Sequence, residues 1–409
     1  MATAAATLNT PGRAPHPLRN AKFRSLWIGA TISLLGDQFY LVALPWLILQ
    51  MTGSGVALGT ILMAAAIPRA VLMLMGGAVT DRISPRRILM TTASARTVFV
   101  GAIAALVWLH VLHLWFLYVL AFGFGVADAF SFPAGGAFLP SLVEQDQLVQ
   151  ANATMQGTTQ LTMIAGPAPA GVIVKLFGSA CAFFLDAVSF LFVIAALWRL
   201  PDPPQNQTQG KPGLWKSIGE GLTYVNQDTA LRSLMLIAAV LNFCLAGPIS
   251  VGLAALSKQR FDSATAYGFL VAAVAAGGLT GTLSAALFAR SHLGALLLGV
   301  SALMGICTAS VGFLHSIWLI AGVLFVLGLA SGSVGVHINA WFQKRVPREK
   351  LGRVVSVLMF AAVGLMPVSL AVAGVLVQWS LVCMYLLSGA SVLAVVAFAA
   401  ANGAAKEIK

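Results

Sequence analysis

The stretch GVALGTILMAAAIPRAVLMLMGGAVTDRISPRRILM, Gly55–Met90, decides the fold. It opens as an apolar run whose only charge is Arg69, passes through a turn dense in charge, TDRISPRR, and ends as a second apolar run begins. About 20 apolar residues in succession cross a bilayer as a helix, because lipid offers no hydrogen-bond partner and a helix satisfies its backbone groups internally. The stretch therefore reads as a membrane span, a charged turn and the start of another span.

Working outward in both directions, the same pattern recurs. Apolar segments near 24–50, 56–80, 88–110, 114–140, 152–175 and 179–200 form one set, and those near 230–256, 264–289, 293–314, 316–342, 354–377 and 381–402 form a second. Composition agrees, since 59% of the 409 residues are hydrophobic and 9% charged, against roughly 25% charged in a soluble domain. Forty glycines suit helices that approach closely in lipid. The halves echo each other: Gly77 and Arg86 recur as Gly281 and Arg290 at one offset, and Asp146, Leu148 and Gly171 recur as Glu349, Leu351 and Gly374 at nearly the same one. The expectation is an all-α membrane protein of twelve transmembrane helices in two six-helix bundles, with the substrate between the halves at midplane. Residues 1–200 form the first half and 229–409 the second. Residues 201–228, with PDPPQNQTQGKPG followed by the amphipathic LWKSIGEGLTYV, read as a linker with a surface helix.

A net charge of +12 would suggest a nucleic-acid partner in a soluble protein, but here the charges follow the spans. With the N-terminus placed in the cytoplasm, only Lys175, Lys258 and Arg260 of the 24 basic residues fall on the far side, and Arg69 and Arg96 lie within spans. That asymmetry is the positive-inside rule; it predicts a multi-pass protein of the inner or plasma membrane with both termini cytoplasmic and no nucleic-acid partner. The first 22 residues have no apolar core, so no cleaved signal peptide is expected. Cys181, Cys244, Cys307 and Cys383 stand singly in apolar segments and read as packing thiols.

GGAVTDRISPRR, Gly76–Arg87, resembles the major facilitator signature GxxxDRxGRR, with Gly77, Asp81, Arg82 and Arg86 at the matching places, Ser84 where the signature has glycine, Pro85 at its first closing arginine and Arg87 one place beyond. The resemblance implies that these residues latch the cytoplasmic ends of the halves between transport states; the other reading is a positive-inside anchor. The second half carries Ala285 opposite Asp81, so an acidic latch would be one-sided. TMIAGPAPAG, Thr162–Gly171, resembles the antiporter signature GxxxGPxxGG, keeping Gly166, Pro167 and Gly171 while Thr162 and Ala170 replace two glycines. Glycine and proline there remove bulk and one ladder hydrogen bond, so a kinked packing helix is the plainer reading. With Gly36-Asp37, PSLVEQDQLVQANA, FFLDAVSFL and EGLTYV, the chain resembles the drug/proton antiporter branch of that superfamily, which includes macrolide, multidrug and siderophore exporters. The pattern is also similar to that of lysophospholipid transporters. The branch resemblance implies proton-coupled export of an amphipathic small molecule by a monomer surrounded by lipid, without a cofactor.

The ionisable residues within spans carry the mechanism. A charge at the bilayer centre costs roughly 2.5–3.5 kcal/mol on insertion scales, so one that persists faces a cavity or a partner. Asp37 and Arg69 share a depth, Asp128 is near the middle of its span, and Arg96 lies in the cytoplasmic half of the third. These four are the proton-coupling candidates. Asp37 has three readings: proton carrier, ion pair with Arg69, or contact with a cationic substrate. Asp186, in FFLDAVSFL, reads as a packing residue. The fourth span lacks the arginine of the family's RxxxG motif, so coupling would rest on the aspartates. Tyr40, Asn242, His337, Asn339 and Trp341 are candidates for lining the substrate cavity, since such sites combine aromatic surface with few polar groups. His110 and His113 lack acidic or thiol companions, so no metal site is expected. No GxSxG, HExxH or GxxxxGK[ST] occurs, which points away from an enzyme and from direct ATP drive.

Overall fold

A computed structural model describes residues 16–80, 82–202, 219, 223, 225–288, 293–347 and 364–401. The described residues form helices throughout. α1 spans Ala21–Thr52, α2 Gly55–Thr80, α3 Pro85–Trp108, α4 Leu114–Phe138, α5 Leu148–Ala165 and α6 Pro167–Trp198. After the linker come α7 (Thr229–Gly247), α8 (Leu253–Phe261), α9 (Ala264–Ser284), α10 (Leu293–Val311), α11 (Ile317–Arg345), α12 (Met366–Trp379) and α13 (Leu381–Ala401). Ten of the described segments are long and apolar enough to cross a membrane, and Met366–Trp379 is a shorter apolar helix. The chain thus has the twelve-span architecture in two six-helix bundles. The surface helix expected over 214–225 lies largely outside the described residues, as do Leu351–Val363 of the eleventh span.

Local chemistry sets the helix ends. The Asn20 side chain accepts from the Lys22 backbone N–H at 2.9 Å to start α1, and Gly53, at φ 61°, ends it in the left-handed region. α6 runs through the end of one span and the whole of the next, broken at Gly178, whose φ of 81° turns the chain back. α7 and α8 form one span joined by a π-helical turn at Pro248–Gly252. Proline cannot donate to the ladder there, and Tyr385 of α13 donates its hydroxyl to the Pro248 carbonyl at 3.2 Å.

In the first bundle α1 packs on α6, α2 on α4, and α3 on both α4 and α6. In the second, α9 packs on α11, α10 on α11 and α13, and α7 on α12 and α13. The bundles meet where α2 faces α12 and where α5 and α6 face α9. Both seams are tight at the end away from the chain termini. A Cβ on Gly59 would stand 2.9 Å from the Gly374 Cα, and one on Gly171 would stand 2.9 Å from the Thr265 Cα. The Gln378 side-chain carbonyl accepts from Gly55 N–H at 3.0 Å and from Ser54 Oγ at 3.2 Å, and Thr265 Oγ1 donates to the Gly171 carbonyl at 3.3 Å. At the same end, Arg260 of α8 donates to the Val311, Gly312 and Leu314 carbonyls after α10, a cation on a helix C-terminus.

Candidate functional site

Five charged side chains gather inside the first bundle, one from each of five spans: Asp37 on α1, Arg69 on α2, Arg96 on α3, Asp128 on α4 and Asp186 on α6. By sequence, the middle of the second bundle's spans holds no Asp, Glu, Lys or Arg at all. Arg96 Nη2 donates to Asp37 Oδ1, and its Nη1 lies 4.0 Å from Asp128 Oδ1. Arg69 Nε is 3.1 Å from Asp128 Oδ2. Of the three readings of Asp37, the ion pair with Arg69 is not the one formed: Asp37 is held by Arg96, and Arg69 by Asp128. Equal depth brings two residues together only if their helices adjoin on the right faces. Although α1 touches α2, Arg69 turns its side chain toward Asp128 of α4, and it is Arg96 of α3 that reaches across to Asp37.

Aromatic rings hold the central arginine. The Arg96 guanidinium sits 4.7 Å from the Phe124 centroid and 4.3 Å from that of Phe190, two cation–π contacts. Tyr40 stacks on Phe124 at 4.4 Å and 12°, with Phe183 edge-on at 6.0 Å. Gly36 brings α6 close, since a Cβ there would stand 2.6 Å from the Ser189 Cβ and 2.7 Å from Asp186 Oδ1. Asp186 is 0% exposed, and its neighbour Ser189 donates to the Asp186 backbone carbonyl at 2.7 Å.

The antiporter-like motif connects this cluster to the seam between bundles. α5 ends at Ala165 and α6 starts at Pro167. Gly166 packs on Gln38, the residue after Asp37, and Gly171 faces Ala264 and Thr265 of the other bundle. Gly166, Pro167 and Gly171 thus span the distance from the charged cluster to the opposite half.

Of the loop signature, Asp81 lies outside the described residues, and Gly77 sits near the end of α2. Arg82 is exposed just beyond it. Arg86 Nε donates to the Leu197 carbonyl at 2.8 Å and Nη2 to that of Trp198 at 3.2 Å, which caps α6. Asp202 is the acidic partner that the sequence reading missed: Ser84 Oγ donates to it at 2.8 Å, and Arg86 Nη1 and Arg87 Nε each stand 3.5 Å away. The Ser84 hydrogen bond, with the two guanidiniums, holds the Asp202 carboxyl below the usual carboxylate range. Its only sequence signal is an acid directly after the sixth span, opposite a basic loop.

The cavity candidates do not form one constellation. Tyr40 belongs to the wall of the first bundle. Asn242 donates to Ala238 O at 2.9 Å and Asn339 to Gly335 O at 2.9 Å, while His337 Nδ1 lies 2.7 Å from Ser333 O, all one turn back on their own helices. The two asparagines are exposed, His337 is half-buried, and Trp341 is buried beside Phe342 and Arg345.

Residues 13–409 match the family model described as transmembrane secretion effector. The chain belongs to that family, within the major facilitator superfamily. Its relatives in the superfamily include the multidrug efflux pump Tap of Mycobacterium tuberculosis, 27% identical over 351 residues and 83% of each chain. The macrolide efflux protein A of Streptococcus pyogenes is 24% identical over 342 residues, 82% of this chain and 84% of its own. Among solved structures, the nucleoside transporter NupG superposes with a TM-score of 0.73 at 11% identity, covering 93% of this chain and 98% of its own. An inward-facing bacterial homologue of the lysosomal transporter Spinster gives 0.68 at 14% identity, covering 96% and 97%. At those identities the structures speak for the major facilitator fold alone. This family member is a multi-pass membrane transporter.

Proposed function

We propose that this transporter exports amphipathic small molecules across the cell membrane by proton antiport with alternating access. The observation that carries the reading is the charge cluster of Asp37, Arg69, Arg96 and Asp128, confined to one bundle and facing a bundle whose spans carry no Asp, Glu, Lys or Arg at mid-depth. The multidrug and macrolide efflux relatives support the substrate class. Residues 1–200 and 229–409 are the rocking halves and 201–228 the linker between them; the basic residues put both termini and that linker in the cytoplasm. The far seams are closed by Gly59, Gly171, Gly374 and Gln378, as an inward-facing state requires.

Asp37 exchanges the proton. While ionised it holds Arg96; once protonated it releases that arginine, and the loss of the pair loosens α1 from α3 in one bundle. One proton moving inward through the membrane potential supplies about 2.3 kcal/mol per 100 mV, enough for roughly fifty-fold accumulation of a neutral substrate outside. Asn242, His337 and Asn339 offer polar contacts on the substrate side of the second bundle, with Tyr40 and Trp341 as aromatic walls. Gly77, Asp81, Arg82, Arg86 and Arg87 act as the latch, the two arginines being held by Asp202 in this state.

The test is a panel of drugs, siderophores and lysolipids in proteoliposomes with and without an imposed pH gradient. Gradient-driven export of an amphipathic drug is expected. Movement of lysolipids alone, indifferent to the gradient, would replace this reading with that of a lipid facilitator.

A further inference from the structure

The cluster contains three carboxyls, Asp37, Asp128 and Asp186, and two guanidiniums, Arg69 and Arg96. Both guanidiniums are committed, Arg96 to Asp37 and Arg69 to Asp128. Asp186 is left without one. It is fully buried, its Oδ2 has no hydrogen-bond partner among the described residues, and the described donor to Oδ1 is Ser189 Oγ at 3.4 Å, a hydroxyl already spent on the Asp186 carbonyl. Two more buried polar atoms stand unpartnered in the same chamber: the Tyr40 hydroxyl and Nε of Arg96. The charged and titratable groups facing Asp186 are Asp37 and Tyr40 from α1 and Arg96 from α3, with Asp128 of α4 and Arg69 of α2 behind them. A carboxylate in such a place, without a cation of its own, is far costlier than a neutral acid.

We propose that Asp186 is the proton store of this cluster: it holds the one balancing proton while Arg96 is paired with Asp37, and surrenders it as Asp37 becomes protonated. The exchange is balanced. In that internal transfer one O–H bond is lost at Asp186 and one gained at Asp37, the proton count of the cluster is unchanged, and Arg96 passes from Asp37 to the newly ionised Asp186. Asp37, whose side chain is 28% exposed where Asp186 is sealed, then serves as the port through which that proton is loaded and discharged. The role in transport rests on the proton-antiport reading; the occupancy of Asp186 does not.

The experiment is infrared spectroscopy of the purified full-length protein at neutral pH, in a maltoside detergent that has no carbonyl of its own. A band from the carbonyl stretch of a protonated carboxylic acid is expected in the wild type and lost in Asp186→Asn. Ser189→Ala should keep the band but shift it, because the Ser189 oxygen, whose own hydrogen is spent on the backbone carbonyl, is the acceptor within reach of a protonated Asp186 Oδ1. Asp37→Asn should lose it as well, since two carboxyls would then balance two guanidiniums without a proton. No band in the wild type, a band surviving in Asp186→Asn, or an unshifted band in Ser189→Ala overturns the proposal. The serine variant decides alone should the aspartate variant fail to fold. Neither substrate nor gradient enters the measurement. Hence a wild type that shows the band but does not export under a pH gradient refutes antiport and leaves Asp186 standing, whereas export without the band refutes Asp186 alone.

Discussion

Arg69 of α2 meets Asp128 of α4 at 3.1 Å, and the same carboxylate stands 4.0 Å from Arg96, so Asp128 joins the two guanidiniums of the first bundle. Asp128→Asn removes that link and leaves two carboxyls against two guanidiniums. Arg69, 53% exposed but at mid-span, then loses its carboxylate, and the stability cost is expected to stay within about 3 kcal/mol, the insertion cost of a charge at that depth. Export should fall severalfold. The double variant Arg69→Gln/Asp128→Asn restores the original balance and should recover part of that loss. A double variant as slow as Asp128→Asn, measured in the same proteoliposomes, would show that the pair does not act as a charge unit.

Asp37→Asn is expected to retain substrate binding and downhill exchange while abolishing export driven by a pH gradient. The amide cannot take up or release the proton, yet it preserves the shape against Arg96. Substrate quenching or calorimetry reads the binding, and flux assays with and without the gradient read the coupling. Uphill export by the variant would move the coupling role to Asp128.

Gly36→Val should destabilise the protein by about 1–3 kcal/mol, the usual cost of overpacking a tight contact. A Cβ at this position already falls 2.6 Å from the Ser189 Cβ, and α1 and α6 must part to admit it. Detergent melting curves measure the loss. An unchanged midpoint would mean that the two helices pack more loosely than described.

Asp202→Asn should free the loop over 82–87, and amide hydrogen exchange there should rise with little change elsewhere. The pH dependence has a definite sign. A carboxyl lowered in the folded state stabilises the loop above the ordinary carboxylate value, about 3.9, and the contribution is lost only as the pH falls through the lower folded value. The wild-type loop should therefore remain protected across the physiological range and open only in strong acid. Protection in Asp202→Asn should be weaker throughout. Asp81→Asn, in the same turn, should fold normally but transport more slowly if the latch operates.

The span pattern was legible in the sequence because it obeys a local rule: each crossing must be apolar and internally hydrogen-bonded, whatever its neighbours. The bend at Gly166-Pro167 was legible for the same reason, since a missing N–H acts within a few residues. So was the inventory of charges inside the spans, along with their depths.

Partnership was not legible. Depth along a helix follows from counting residues, but the face a residue presents, and the helix it presents it to, depend on how non-adjacent spans are arranged. That arrangement gave Asp37 to Arg96 rather than to Arg69, brought Asp202 under Arg86 and Arg87, and sealed Asp186 behind Gly36 without a cation. Charge pairing acts over a few ångströms in space, and only the packed bundle determines which residues come that close.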